Sequence, residues 1–281
     1  MINSYKRAIA LIGYPIKHSL SSKIQNYFIK EYGKEAVYLI FEIAEKNLKE
    51  AFYSMKSLGF IGLNVTMPYK EKIYNIVDEL DETASIVKSV NTVKFFRDGK
   101  VSIGYNTDIN GVLLSINNKG FDWINKECLV IGAGGAARSA IFAIIKQPVK
   151  KLYIYNRTQK KAKKILNMFS NISNSKIEIV RNLNNIGSKI DNIDLIINCT
   201  PLGMDISNYK NLSPIPDDWN LKNKYIFDMV YNPVDTKLIK KGMKDGAKII
   251  TGIDMLINQA AFSFKIWFNI LPNINNIKKI I

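Results

Sequence analysis

One histidine, His18, serves all 281 residues, and only two cysteines, Cys128 and Cys199, accompany it. Biological zinc sites draw on clusters of imidazole and thiolate, so a His-rich metal centre is excluded and metal-independent chemistry is expected. His18 itself reads as structural. The cysteines stand far apart and neither belongs to a C-x-x-C pair, which leaves a disulfide framework without support and makes a reducing cytoplasm the default. Long apolar runs are missing too. The first, Ala8 to Tyr14, breaks at Pro15 and is too short for a signal sequence, and no later run approaches the roughly 20 residues of a membrane span.

Acidic residues are scarce: 24 aspartates and glutamates face 40 lysines and arginines, a net charge of +16. Clustered cations of this kind neutralise nucleic-acid phosphates. Here, however, the lysines are spread along the chain among many asparagines and isoleucines, which is the mark of a compositional bias. A small anionic ligand suits the same charge. The expected partner is therefore a small molecule, with neither nucleic acid nor membrane; a homodimer is allowed by the sequence but not read from it.

What is present is a rhythm. Single cores stop growing near about 250 to 300 residues, so a chain of this length is expected to divide in two. Short apolar runs alternate with amphipathic segments: "AIALIG" then Ser21 to Lys30, "VYLIFEI" then Asn47 to Leu58, "IGLNV" then Tyr69 to Leu80. That alternation predicts βα units and a mostly parallel sheet. "VNTVKFF" and "KVSIGY", joined through Arg97-Asp98-Gly99, predict a hairpin at its edge. A helical pattern over Asn106 to Gly120 leads to a second series of strands: "ECLVIG", "KLYIYNRT", "KIEIV", "DLIINCT", "KYIFDMV" and "AKIITG". Ile253 to Ile270 reads as a long apolar helix packed back against another layer.

Within "VIGAGGAA", Gly132, Gly134 and Ala137 form G-x-G-x-x-A after a strand and before a helix. The spacing fits a dinucleotide loop: Gly132 for the tight turn, Gly134 for close approach to a pyrophosphate, Ala137 for close packing of helix on strand. Another absence is informative. NAD-binding loops place an acidic residue about 20 positions on, for the ribose 2′-hydroxyl, yet nothing between Glu127 and Glu178 is acidic. The second strand ends instead in Asn156-Arg157-Thr158 with Lys161 beyond. A guanidinium fork, a hydroxyl and an ammonium suit a 2′-phosphate, which favours NADP over NAD.

"NVTMPYK" places Lys70 just after Pro68, a residue suited to a first helical turn. A cation there opposes the helix dipole. Asp108 opens the later helix, at an end that favours a carboxylate. On local evidence Asp108 is a helix cap as readily as a partner for Lys70; side by side, the two could pass a proton to or from a substrate oxygen.

The ordered set "GYPIKHSLS", "NVTMPYK", "VNT", "NTDINGV", "GAGGAARSA", "NRT", "INCTPLGM", "DMVYNP" and "MLINQAA" resembles the shikimate dehydrogenase family over nearly the whole chain. The resemblance implies NADPH-dependent reduction of 3-dehydroshikimate, with Lys70 and Asp108 as the catalytic pair. It implies that Ser19 and Ser21 bind the substrate carboxylate with Tyr231 at that end, and that Thr66, Asn91, Asp108 and Gln259 bind the ring hydroxyls. On the cofactor side it implies Gly132, Ala133, Gly134, Gly135 and Ala136 at the pyrophosphate, Asn156, Arg157, Thr158 and Lys161 at the adenosine phosphate, and Thr200, Met229 and Gly252 near the nicotinamide. The implied architecture is a two-domain α/β protein. Its N-terminal mixed α/β substrate domain covers 1–106 plus 254–281, and a Rossmann-type doubly wound NADP-binding domain covers 107–253. The chain departs from the usual pattern at Tyr14, Ser22 and Asn26, which bears on affinity for the acid and on the choice among shikimate, quinate and an amino-substituted shikimate. A non-catalytic NADP-binding regulator and a basic nucleic-acid-binding protein are the readings of another class.

Overall fold

A computed structural model describes residues 7–16, 19–96, 99–205, 208–277 and 280. His18, and Arg97 and Asp98 of the expected hairpin turn, lie outside the described residues. The chain forms two compact units: one runs to Asp108 and resumes at Ile257, and the other is Ile109–Leu256.

The first unit is built on β1 (Arg7–Gly13), α1 (Ser21–Glu31), β2 (Ala36–Glu42), α2 (Leu48–Ser57), β3 (Gly62–Val65), α3 (Lys70–Ile73), β4 (Glu79–Leu80), α4 (Glu82–Val87), β5 (Thr92–Phe96) and β6 (Val101–Tyr105). Its sheet has the order β2-β1-β3-β5-β6-β4, parallel where β1 meets β2 and β3 and antiparallel from β3 through β5 to β6. Helix α1 forms because Ser21, Ile24, Gln25, Phe28 and Ile29 repeat at helical spacing and all are buried, the pattern of one core-facing stripe. Asp81 starts α4 by accepting from the amides of Thr83 and Ala84 at 3.4 and 2.9 Å, as an N-cap does.

Two expectations are corrected here. The segment Tyr69 to Leu80 is not one helix: α3 is a single turn, and Pro68 stands before its N-cap Tyr69 because Thr66 to Tyr69 close a turn through Tyr69 N–H to Thr66 O at 2.9 Å. The β5–β6 hairpin is not at the sheet edge either. The two-residue β4 pairs parallel with β6 and takes that place.

The second unit opens with α5 (Asp108–Asn117), whose first residue closes the first unit. It contains β7 (Glu127–Ile131), α6 (Gly135–Ile145), β8 (Lys151–Tyr155), α7 (Gln159–Phe169), β9 (Lys176–Val180), a 3₁₀ segment Leu183–Asn192, β10 (Leu195–Asn198), β11 (Tyr225–Asp228), α8 (Lys237–Asp245) and β12 (Lys248–Ile250). The sheet is wholly parallel in the order β12-β11-β10-β7-β8-β9, the doubly wound Rossmann arrangement. The central strands β7 and β10 are buried at every residue, as strands covered on both faces require. The order reverses between β7 and β10, so the loops after them flank the crevice where such sheets bind ligands.

Helix α9 (Gly252–Phe268) begins in the second unit and ends in the first. Its later turns pack on the first sheet and on α1: Trp267 Nε1 donates to Val93 O at 2.9 Å, Gln25 Nε2 to Ala260 O at 3.0 Å, and Phe28 meets Phe264 edge to face. The long apolar helix thus does pack back against another layer.

Candidate active site and dinucleotide site

Strand β3 ends in Asn64-Val65-Thr66, and the turn that follows delivers Lys70 at the start of α3. Strands β5 and β6 bring Asn91 and the Asn106-Thr107-Asp108 stretch alongside, since Asn91 N–H donates to Tyr105 O at 3.1 Å and Val90 N–H to Lys70 O at 3.0 Å. The result is an ion pair: Lys70 Nζ donates to Asp108 Oδ2 at 2.6 Å, with side-chain exposures of 20% and 3%. With α3 only one turn long, dipole opposition to Lys70 is small. The lysine is distinguished by its partner rather than by its helix.

Asn91 fixes the other carboxylate oxygen. The backbone N–H of Thr107 donates to Asn91 Oδ1 at 2.8 Å; a backbone amide can only donate, so the carboxamide nitrogen must face the other way. It donates to Asp108 Oδ1 at 2.8 Å and to Thr107 Oγ1 at 2.9 Å, with Gln259 Oε1 at 3.4 Å. The structure therefore brings buried Asn91, Asp108 and Gln259 together with the partly exposed Lys70 in one polar cluster.

Ser19 and Ser21 lie together at the entry to α1, where the Ser21 amide donates to Ser19 Oγ at 3.3 Å. Leu20, not Ser21, is the N-cap. Thr66 is half-buried, and its amide donates to Ile12 O at 3.0 Å across from β1. Tyr14, exposed at 54%, is tied to the same turn by its amide donating to Met67 O at 3.1 Å. Tyr231 belongs to the second unit, on the loop after β11.

A layer beneath this cluster was not anticipated from the sequence. Asn64 accepts from Tyr38 Oη at 2.8 Å and donates to Asn91 O, Thr92 Oγ1 and Ser263 Oγ at 3.0 to 3.1 Å. Ser263 also lies 3.1 Å from Thr107 Oγ1. A faint signal existed: Ser263 stands four residues after Gln259, on the same helical face.

In the second unit, Gly132 has φ +127, and a side chain there would be strained against Cys199, whose carbonyl oxygen is 3.1 Å from a built Cβ. Gly134 is the N-cap of α6 and provides no side chain, so no side-chain cap engages the free amides of Gly135, Ala136 and their successors. A Cβ at Gly134 would meet no atom within 4 Å, which leaves room for a phosphate above those amides. Ala133 and Ala137 are buried. At the end of β8, Arg157, Thr158 and Lys161 are exposed. Asn156 holds the turn by donating to Thr158 O at 2.9 Å, and Thr158 opens α7 without using its hydroxyl as a cap. These residues fit an NADP adenosine phosphate: donors and cations, and no nearby carboxylate in the loop.

Thr200 follows β10 and donates to Asn198 Oδ1 at 2.7 Å. Met229 follows β11, and its amide donates to Asn198 O at 3.0 Å. Gly252 lies so close to this backbone that a Cβ would fall 2.5 Å from Met229 O and 2.6 Å from Val230 O. Beneath them Asp228 is wholly buried. Burial pushes its carboxyl up to about 6, against the lowering effect of hydrogen bonds from Thr236, the Val230 amide and Asn198. Neither cysteine is in a disulfide, and burial pushes the Cys128 thiol up, away from a thiolate.

Comparison with known proteins places this geometry. Three family models match in succession: the shikimate dehydrogenase substrate binding domain over residues 11–93, shikimate / quinate 5-dehydrogenase over 115–247, and the shikimate 5′-dehydrogenase C-terminal domain over 252–281. A shikimate dehydrogenase (NADP(+)) of Methanocaldococcus jannaschii is 37% identical over 284 residues, covering 100% of this chain and 98% of that protein. The crystal structure of shikimate 5-dehydrogenase from Listeria monocytogenes in complex with shikimate and NAD is 29% identical with a TM-score of 0.89, covering 99% of this chain and 97% of that one. The shikimate 5-dehydrogenase of Thermus thermophilus, in complex with NADP(H) and shikimate, is 27% identical with a TM-score of 0.85, covering 97% of each.

Proposed function

This chain belongs to the shikimate dehydrogenase family, and from that premise we propose that it catalyses the reversible NADPH-dependent reduction of 3-dehydroshikimate to shikimate, a step of aromatic amino-acid biosynthesis. The observation that carries the reading is the Lys70–Asp108 pair at 2.6 Å, its carboxylate also held by the Asn91–Thr107–Gln259 network. NADPH, when bound, supplies the hydride. The residues of this chain do the rest. Lys70 gives a proton to the oxygen of the reacting carbonyl and recovers it in the reverse direction. Asp108 holds the ammonium in place and accepts from a ring hydroxyl.

The polar groups gathered in the first unit support a substrate role for it: Ser19 and Ser21 at the carboxylate, and Thr66, Asn91, Asp108 and Gln259 at the hydroxyls. The family resemblance assigns Tyr231 to the carboxylate end as well. The second unit holds NADPH, with the amides of Gly132 to Ala136 at the pyrophosphate, Asn156, Arg157, Thr158 and Lys161 at the 2′-phosphate, and Thr200, Met229 and Gly252 at the nicotinamide. No helix among the described residues is long and apolar enough to cross a membrane. We place the enzyme in the cytoplasm, without a nucleic-acid partner, and allow a homodimer.

The test follows NADPH absorbance in four reactions, shikimate or quinate each with NADP or NAD. The reading expects the largest kcat/KM for shikimate with NADP. Turnover of quinate in preference, or no turnover at all, contradicts it.

A further inference from the structure

The buried acid of the second unit has no task in the reaction as described. Asp228 ends β11 and Asn198 ends β10, and the two are register partners on neighbouring parallel strands, each fully buried. Removing a carboxylate from water is costly unless it is well hydrogen-bonded, and an apolar pair would fill these strand ends without that cost. What the acid gains instead is a hold on three segments of backbone.

Asp228 Oδ1 accepts from Asn198 Nδ2 at 2.9 Å and from the Val230 amide at 3.0 Å, and Oδ2 accepts from Thr236 Oγ1 at 2.7 Å. The same Thr236 oxygen caps α8 by accepting from the Ile239 amide at 3.2 Å. Asn198 spends its oxygen on both the amide and the hydroxyl of Thr200, at 3.0 and 2.7 Å. Its nitrogen also reaches Leu202 O at 3.3 Å. One contiguous set of bonds thus runs from Thr200 through Asn198 and Asp228 to the first turn of α8, and it sets the path of the chain on either side of Met229.

We propose that Asp228 and Asn198 are positioning residues for the nicotinamide half of the NADPH site, acting through the backbone that carries Thr200 and Met229. The proposal rests on the reading that Thr200 and Met229 face that half. It predicts an asymmetry that a general loss of stability does not produce. The adenosine half, held by the Gly132–Ala136 amides and by Arg157, is served by other strands and is left alone.

The experiment measures dissociation constants, without turnover, for NADPH, for 2′,5′-ADP and for shikimate, in variants whose fold is checked by circular dichroism. Asp228→Ala and Asn198→Ala are expected to weaken NADPH at least about tenfold, the loss of one to two charge-assisted hydrogen bonds, with 2′,5′-ADP and shikimate within about twofold of wild type. Asp228→Asn keeps an acceptor for Asn198 and Val230 and can donate to the Thr236 hydroxyl, so it restores NADPH affinity to within about threefold. NADPH affinity unchanged in folded Asp228→Ala or Asn198→Ala, or an equal loss for 2′,5′-ADP, overturns the proposal; if Asp228→Ala does not fold, Asn198→Ala decides. Thr200→Val separates the two readings. If it leaves NADPH affinity intact while Asp228→Ala weakens it selectively, the assignment of Thr200 fails and the positioning role stands.

Discussion

Lys70 and Asp108 lie 38 residues apart in the chain and 2.6 Å apart in space. Neither is placed there by its own helix. The β5–β6 hairpin carries Asp108 back to the turn that bears Lys70, and Asn91, at the head of β5, clamps the second carboxylate oxygen from below.

Asn91 is accordingly the residue on which the pair depends. Asn91→Ala removes the donor to Asp108 and leaves the Thr107 amide without its acceptor. Each buried polar group so orphaned costs about 1 to 3 kcal/mol. Urea denaturation should show a loss of that order, and kcat should fall with it; a variant of full stability and full kcat would refute the clamp.

Cofactor choice should follow Arg157. Arg157→Ala is expected to raise KM for NADP about 10- to 100-fold, the value of a charge-assisted hydrogen bond to phosphate, while KM for NAD changes little. Equal effects on both cofactors would mean that Arg157 does not meet the 2′-phosphate.

The buried carboxyl of Asp228 gives the stability a pH signature. Its folded-state pKa, about 6, is above the unfolded value of 3.8, so the folded protein holds this proton more tightly. The contribution is fully present below pH 3.8 and is lost as pH rises through 6, a change of about 3 kcal/mol at 1.36 kcal/mol per unit. Glu178 and Asp245, whose carboxyls are held low by hydrogen bonds from Lys151 and Lys241 respectively, act in the opposite sense. The difference between wild type and Asp228→Asn isolates the first effect: the variant should gain relative stability as pH goes from 4 to 7. No such gain in chemical denaturation would contradict the assignment.

Lys224 is a cation used as a staple. Its ammonium is buried and donates to Ile190 O, Ile193 O and Asp191 O at 2.7, 2.9 and 3.3 Å, tying the end of the 3₁₀ segment to the strand before α8. Burial lowers its pKa, opposed by Asp191 and Asp194. Lys224→Met should destabilise the protein by about 1 to 3 kcal/mol through orphaned carbonyls, read as a lower urea midpoint with cofactor affinity unchanged.

The sequence was most readable where one residue pattern determines one local outcome. Apolar runs such as "ECLVI" and "DLIIN" are buried strands because no other element of that length satisfies them, and the stripe of α1 announces its inward face. The glycines of the dinucleotide loop were readable because φ +127 at Gly132 admits little else. Short and long-range features were not. Two residues of β4 carry no periodicity, and Pro68 signals a helix start equally well when it belongs to the preceding turn. The network of Asn64, Thr92 and Ser263 joins positions up to 199 residues apart, so no local pattern can announce it. Asp228 likewise sat in a motif, but its burial and partners came only with the sheet register.

Proton transfer by Lys70 is tested most directly by the kcat of Lys70→Ala with 3-dehydroshikimate and NADPH, beside KM for both substrates. Loss of a general acid predicts a kcat lower by about 10² to 10⁴ with much smaller changes in KM. A variant that folds and turns over at a rate close to wild type would contradict it.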